Sequence, residues 1–111
     1  MPTLDVEGKA FEVDEEGYLQ DWQEWNEGVA KRMAQDDGLE LTESHWEVIK
    51  FLRGYFEKYQ IAPMIKILTK EIGKVMGPEK GNTKYLYELY PAGPAKQACR
   101  YAGLPKPTGC V

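Results

Sequence analysis

Apolar and polar side chains alternate along the first thirteen residues, on either side of a glycine turn at residues 7–9. The apolar positions are Leu4, Val6, Phe11 and Val13. A period of two is typical of a strand with one buried face, and a glycine between two such runs favours a tight turn. The pattern therefore predicts a small β-hairpin over residues 3–13. The acidic run at residues 14–17, which ends in glycine, predicts a further turn.

Two helices are predicted in the middle of the chain, because apolar residues recur there every three or four positions. Asp21 is placed to cap the first helix, which ends at the Asp-Asp-Gly cluster of residues 36–38. Its apolar side consists of Trp22, Trp25, Val29 and Met33. Thr42 is placed to cap a longer second helix. Its apolar series consists of His45, Ile49, Leu52, Phe56 and Tyr59. We expect His45 to be a packed histidine rather than a catalytic base.

Shorter helices are predicted in the second half of the chain, at residues 63–76, 83–89 and 95–102. Pro63 suits the first turn of one helix, and a Gly-Pro pair at residues 77–78 stops it. Its expected buried residues are Met64 or Ile65, Leu68, Ile72 and Val75. Gly103 is placed to cap the C-terminus of the last helix.

The predicted fold class is mainly α, or α+β: a compact helical domain with an N-terminal β-hairpin and a flexible C-terminal arm. We expect the domain at residues 1–103 and the arm, which contains two prolines, at residues 104–111. A length of 111 residues fits one domain. No run approaches the ~18 apolar residues of a membrane span, and the first residues do not resemble a signal peptide. The expected location is therefore the cytoplasm.

Composition excludes several kinds of site. One histidine and two cysteines are too few for a multi-histidine metal site or for a zinc site built from four thiolates. Neither of the glycine-rich phosphate-binding motifs, GxxxxGK[ST] and GxGxxG, is present. We expect no metal and no cofactor. A reducing cytoplasm disfavours a structural disulfide, so two late cysteines favour redox or transfer chemistry.

Charge is distributed unevenly, with a net −9 over residues 1–62 and a net +5 over residues 63–111. Lys66, Lys70 and Lys74 form a stripe on one face of the predicted helix at 63–76. This stripe is either an ordinary solvated face or a docking face for an acidic partner or anionic sulfur species. The helices before and after residue 60 also resemble a helix-turn-helix loosely, which makes DNA binding an alternative function. The overall charge of −4 argues against DNA as a partner.

The two cysteines lie on different kinds of segment. Cys99 lies inside the last predicted helix, and Cys110 is the penultimate residue of the predicted arm. From Gly103 the arm can span at most ~25 Å, enough to enter a partner's active site or to fold back on Cys99. Lys96 and Arg100 are cations predicted to favour the Cys99 thiolate. Alternatively, Cys99 is a small buried apolar residue and the tail cysteine has no role.

Residues 93–111, with the sequence GPAKQACRYAGLPKPTGCV, closely resemble the C-terminus of the DsrC/TusE sulfur-carrier family. The resemblance extends over nearly the whole chain and includes residues 6–9, 13–19, 41–46 and 61–63. It implies the same hairpin, helical domain and flexible arm. It also implies a carrier or co-substrate of dissimilatory sulfite reductase rather than a free-standing enzyme.

The resemblance assigns roles to the cysteines. Cys110 would be the persulfide acceptor and Cys99 the resolving thiol, with sulfur held as a persulfide or as a trisulfide between them. The candidate supporting and docking residues are Lys96, Arg100, Lys106 and Gly109.

The implied partners are a DsrAB-type sulfite reductase, sulfurtransferases of the DsrEFH/TusBCD and TusA type, and a membrane DsrMKJOP-type complex. The alternative within the family is a TusE-like relay toward tRNA 2-thiouridine. Members of that type generally lack the upstream cysteine, which is present here as Cys99. Sulfite reduction and sulfur oxidation both stay open as directions of flux.

Overall fold

The computed structural model describes residues 2–107. An antiparallel hairpin of two strands, β1 (Thr3–Val6) and β2 (Lys9–Glu12), begins the chain. The helices that follow are α1 (Glu27–Asp36), α2 (Glu43–Tyr59), α3 (Ile65–Met76), α4 (Thr83–Leu89) and α5 (Pro94–Tyr101). The fold is therefore mainly α with an N-terminal hairpin, as the apolar pattern predicts.

The hairpin turn explains the register of the two strands. Glu7 has a φ of +51° and Gly8 a φ of +88°, so both central residues of the turn have a left-handed backbone. This is the conformation of a two-residue type I′ turn, whose twist matches that of the paired strands. Leu4 consequently pairs with Phe11, and the Phe11 side chain is almost fully buried. An isolated bridge between Val13 and Leu19 continues the pairing.

The single helix predicted after Asp21 is wrong, because the chain forms two elements there. The Asp21 carboxylate accepts the Gln23 backbone N–H at 3.0 Å and caps only a 3-10 turn at Trp22–Glu24. Trp25 is extended, and the Asn26 side chain then caps α1 by accepting the Val29 N–H at 3.3 Å. Asn26, a polar residue within the apolar series, can cap a helix as well as Asp21 can, so α1 begins after Asn26.

The start of α2 confirms both the Thr42 boundary and the packed histidine. His45 Nδ1 accepts the Thr42 backbone N–H at 3.0 Å, which leaves Nε2 to donate to the Leu89 carbonyl at 2.7 Å. The imidazole is buried and meets the Tyr90 ring edge to face. His45 therefore connects α2 to the end of α4 and is structural.

Two expectations for α3 are wrong. The helix begins at Ile65, because Met64 is extended, so Pro63 lies before the helix instead of in its first turn. Val75 is 67% exposed, although its spacing predicts burial. Leu68 and Ile72 are fully buried as expected.

The last helix, α5, lies at the centre of the domain although it has only eight residues. It contacts α1, α2, α3 and α4. Six of its side chains are buried: Pro94, Ala95, Gln97, Ala98, Cys99 and Tyr101. Within residues 2–107, none of the helices is long and apolar enough to cross a membrane. The element predicted to carry one of the two cysteines is thus the most enclosed in the fold.

Candidate functional site

Cys99 lies on the inner side of α5 and is completely buried. Burial raises the pKa of its thiol to about 12. The expectation that Lys96 and Arg100 activate this thiol is therefore wrong for the folded protein. Lys96 is exposed, and the Arg100 guanidinium is paired with the carboxylate of Asp37. Loss of hydration on burial is the cause of the raised pKa, and neither cation offsets it.

Asp37, at the C-terminal end of α1, anchors one side of α5. Its carboxylate accepts the Tyr101 hydroxyl at 2.6 Å and is paired with Arg100. The buried Gln97 amide donates to the Tyr101 oxygen at 3.0 Å. Burial and the bond to Asp37 raise the pKa of Tyr101, so the phenol stays protonated and serves as a donor. The sequence shows Asp37 only as part of a helix end, with no sign of this role.

The C-terminal end of α5 is held by aromatic and cationic side chains. Trp25 donates its indole N–H to the Tyr101 carbonyl at 2.7 Å, and Arg53 donates to the Ala102 carbonyl at 2.8 Å. The Arg53 guanidinium also lies 4.4 Å from the centre of the Trp25 ring. Gly103 has a φ of +74°, and a Cβ at this position would lie 2.4 Å from the Trp25 ring. The helix end is therefore fixed, and only glycine fits there.

The chain after α5 stays against the domain for at least four residues. The Leu104 N–H donates to the Cys99 carbonyl at 3.0 Å, and the Leu104 and Pro107 side chains are buried. Lys106 Nζ lies 3.0 Å from a Glu16 carboxylate oxygen. The predicted start of the arm after Gly103 thus falls within a packed segment.

The expectations for Gly109 and Cys110 concern residues outside the described part of the chain. Of the predicted site, the structure therefore places Cys99, Lys96, Arg100 and Lys106.

An open groove of about 270 Å³ lies beside α5. Its lining includes Glu16, Tyr18, Asp37, Lys96 and Arg100. Lys96 and Arg100, two of the predicted supporting residues, thus line one groove. Lys106 forms an ion pair with Glu16, which also lines it. Cys99 is not among the lining residues, although it lies one helical turn from Lys96.

Tyr18 is the groove residue that sequence reasoning missed. Its side chain is 5% exposed, and its hydroxyl donates to the Lys96 carbonyl at 3.4 Å. The pKa of Tyr18 is raised to about 12. Burial is the largest cause, and the charge of a Cys99 thiolate is the next. The acidic turn before Tyr18 is visible in the sequence, but nothing in the spacing links it to residues eighty positions away.

Other predicted features are exposed or half-buried. Lys66, Lys70 and Lys74 are all exposed on α3, which agrees with either interpretation of the stripe. Trp22, Trp25 and Trp46 are half-buried. The helix-turn-helix hypothesis gains no support from the packing, because α3 packs mainly against α4 and α5 instead of α2.

Comparison with known proteins gives matches over nearly the full length. A family model described as DsrC like protein matches residues 5–111. The sulfurtransferase TusE of Pectobacterium atrosepticum is 45% identical over 108 residues, which cover 97% of this chain and 99% of that protein. The TusE homolog of Haemophilus influenzae is 46% identical, with the same two coverages.

Solved structures agree with these matches. The solution structure of Allochromatium vinosum DsrC has a TM-score of 0.91 and 65% identity, and the alignment covers 98% of this chain and 97% of that one. The oxidised γ-subunit of the dissimilatory sulfite reductase (DsrC) from Archaeoglobus fulgidus has a TM-score of 0.82 and 50% identity, with coverages of 99% and 100%. Sequence and fold thus agree over almost every residue, and the chain belongs to the DsrC-like family.

Proposed function

We propose that this protein carries sulfur as a persulfide on Cys110 and uses Cys99 as the resolving thiol. The observation that carries the proposal is the position of Cys99: it is enclosed in the central helix, and the chain leading toward Cys110 is hydrogen-bonded to the Cys99 carbonyl through Leu104. The second thiol of a carrier needs to stay silent during loading, and a fully buried cysteine meets that requirement. The names of the family and of its relatives support the same function.

The partners that we propose are a dissimilatory sulfite reductase, sulfurtransferases that supply or accept the sulfur, and a membrane complex that handles the two-cysteine form. Identity is 65%, 50% and 40% to three DsrC structures and 45% and 46% to the two TusE relatives, so identity alone does not separate the two types. The presence of Cys99, which TusE-type members generally lack, favours the sulfite-reductase carriers over a relay to tRNA thiouridine.

Loading on Cys110 would be a thiol exchange that needs no oxidant. The Cys110 thiolate attacks the outer sulfur of a donor persulfide, a new sulfur–sulfur bond forms on Cys110, and the donor leaves as a thiolate. For release, the Cys99 thiolate attacks the Cys110 sulfur. A Cys99–Cys110 disulfide forms, and the outer sulfur leaves as hydrosulfide, reduced by the two electrons that the thiols give up.

Burial of Cys99 sets the order of these two steps. Because burial raises the pKa of the Cys99 thiol to about 12, its thiolate is scarce at pH 7. A cysteine with an unperturbed pKa has a thiolate fraction of a few per cent at pH 7, so the proposal assigns loading to Cys110 and not to Cys99. Release therefore has to wait until Cys99 is uncovered.

The test is the intact mass of the reduced protein after exposure to a small-molecule persulfide donor. Wild type and Cys99→Ser are expected to gain about 32 Da per sulfur atom, whereas Cys110→Ser gains nothing. Equal gain in Cys110→Ser, or no gain in wild type even with a sulfurtransferase donor present, would contradict the proposal. Loss of loading in Cys99→Ser would contradict the assignment of Cys99 as the resolving thiol.

A further inference from the structure

The turn at residues 14–18 forms a compact unit that touches both α5 and the segment after it. The Asp14 carboxylate accepts the backbone N–H groups of Glu16 and Tyr18, each at 2.9 Å. The Asp14 N–H also donates to the Tyr18 carbonyl at 2.8 Å, and the Gly17 N–H donates to the Asp14 carbonyl at 3.0 Å. These bonds close the turn on itself, so it moves as one piece.

Three contacts connect this turn to the cysteine-bearing region. The Tyr18 hydroxyl reaches the Lys96 carbonyl on α5. Gly17 lies against the Arg100 side chain, since a Cβ at Gly17 would be 3.6 Å from Arg100 Cδ. Glu16 is paired with Lys106, and both side chains of that pair are about half exposed. The only polar bond from the turn to α5 among the described residues is 3.4 Å long.

The α5 helix itself is a poor candidate for movement. Four helices pack against it, and Trp25 and Arg53 hold the carbonyl groups at its end. Tyr18, in contrast, lines the open groove. Cys99 does not line it, although it lies one helical turn from Lys96. The Tyr18 hydroxyl also contacts the Lys96 carbonyl, one helical turn before Cys99, so Tyr18 is the groove residue whose displacement we consider.

We propose that the turn at residues 14–18 is a lid over Cys99, and that the same turn holds the base of the C-terminal segment through the pair of Glu16 and Lys106. This inference rests on the proposed function and adds its regulation. While Lys106 is held and Pro107 is packed, Cys110 is only three residues beyond the packed chain, a span of at most ~11 Å. Release of the segment back to Gly103 restores a span of ~25 Å.

The lid therefore couples two events that a carrier has to coordinate. With the lid closed, the base of the arm is docked and Cys99 is covered. With the lid displaced, the arm reaches farther and Cys99 becomes accessible. A partner that pulls the segment away from Glu16 would loosen the turn and expose the resolving thiol at the same time.

The test follows glutathione disulfide reacting with the reduced wild-type protein and its variants. In the first step the Cys110 thiolate displaces one glutathione and leaves a mixed disulfide on Cys110. In the second step the Cys99 thiolate displaces the other glutathione and closes the Cys99–Cys110 disulfide. Intact mass separates the two steps, because the adduct appears and then disappears.

Tyr18→Ala is expected to speed the second step at least tenfold and to leave the first step unchanged. Tyr18→Phe keeps the ring and should stay within threefold of wild type. Glu16→Gln should speed the second step about threefold, whereas Glu15→Gln, an exposed neighbour in the same turn, should not change it. Equal rates in Tyr18→Ala and wild type would overturn the proposal.

A measurement in low urea separates lid opening from unfolding. Alkylation of Cys99 in the Cys110→Ser and Cys110→Ser/Tyr18→Ala proteins should be nearly independent of urea below the unfolding transition, because a local opening exposes little surface. A rate that rises with urea as steeply as global unfolding would overturn the lid. Both readouts need no sulfur loading, so they remain informative if Cys110 fails to accept persulfide sulfur.

Discussion

The two sides of the central helix are held by different kinds of contact. At its C-terminal end, Trp25 and Arg53 donate hydrogen bonds to the last carbonyl groups, and the Trp25 side chain packs against Gly103. On its groove side, the contacts are the polar groups of Asp37 and the turn at residues 14–18, and they are partly exposed. The first side fixes where the chain leaves the domain. The second side is the one that we propose opens to give access to Cys99.

Gly103→Ala tests the fixed side and has the largest expected effect. The new Cβ would overlap the Trp25 ring and occupy a left-handed backbone, so we expect a loss of about 3 kcal/mol in the free energy of unfolding. Gly38→Ala is the matched control, because Gly38 has nearly the same φ with nothing within 4 Å. Equal losses measured by urea unfolding in the two variants would show that Trp25 does not constrain the helix end.

Arg53→Ala tests the same side through its hydrogen bonds. The variant loses donors to the Ala102 and Trp22 carbonyls and the stacking on Trp25, for an expected loss of about 2 kcal/mol. Lys50→Ala, an exposed position one turn earlier on α2, is the control and should stay within about 0.5 kcal/mol of wild type. Thermal or urea unfolding of the pair checks the difference.

Asp37→Asn tests the groove side, where the expected effect on stability is smaller. The substitution weakens the pair with Arg100 and the bond from Tyr101, for an expected loss of about 1 kcal/mol. Asp36→Asn is the control, because Asp36 contacts Arg32 on the surface of α1. If Asp37→Asn lowered the free energy of unfolding as much as Arg53→Ala, the two sides of α5 would be equally firmly held, and the comparison would fail.

The sequence predicted the parts of this molecule that depend on local pattern. Strand alternation and a turn glycine predict the hairpin, and Thr42, Gly77 and Gly103 mark real helix boundaries. The prediction of the first helix was wrong because Asn26 and Asp21 are both good helix caps. The sequence pattern alone does not show which of the two residues begins the helix.

The surroundings of the cysteine could not be predicted in the same way. Spacing correctly places Lys96 one turn from Cys99, but it does not show that α5 is the centre of the domain. Burial therefore reverses the expected pKa shift of the thiol. Tyr18 and Asp37 reach α5 from sequence distances of about sixty to eighty residues, and no local signal records such contacts.

The pH dependence of Cys99 alkylation in Cys110→Ser tests the central claim most directly. The claim is that burial keeps the resolving thiol protonated and inaccessible while Cys110 is free to load. With its pKa raised to about 12, the thiolate fraction grows tenfold per pH unit, so the rate should rise from pH 7 to pH 10 without levelling off. A rate that levels off near pH 8.5, at the value of an exposed thiol, would show that Cys99 is neither buried nor silent and would contradict the account.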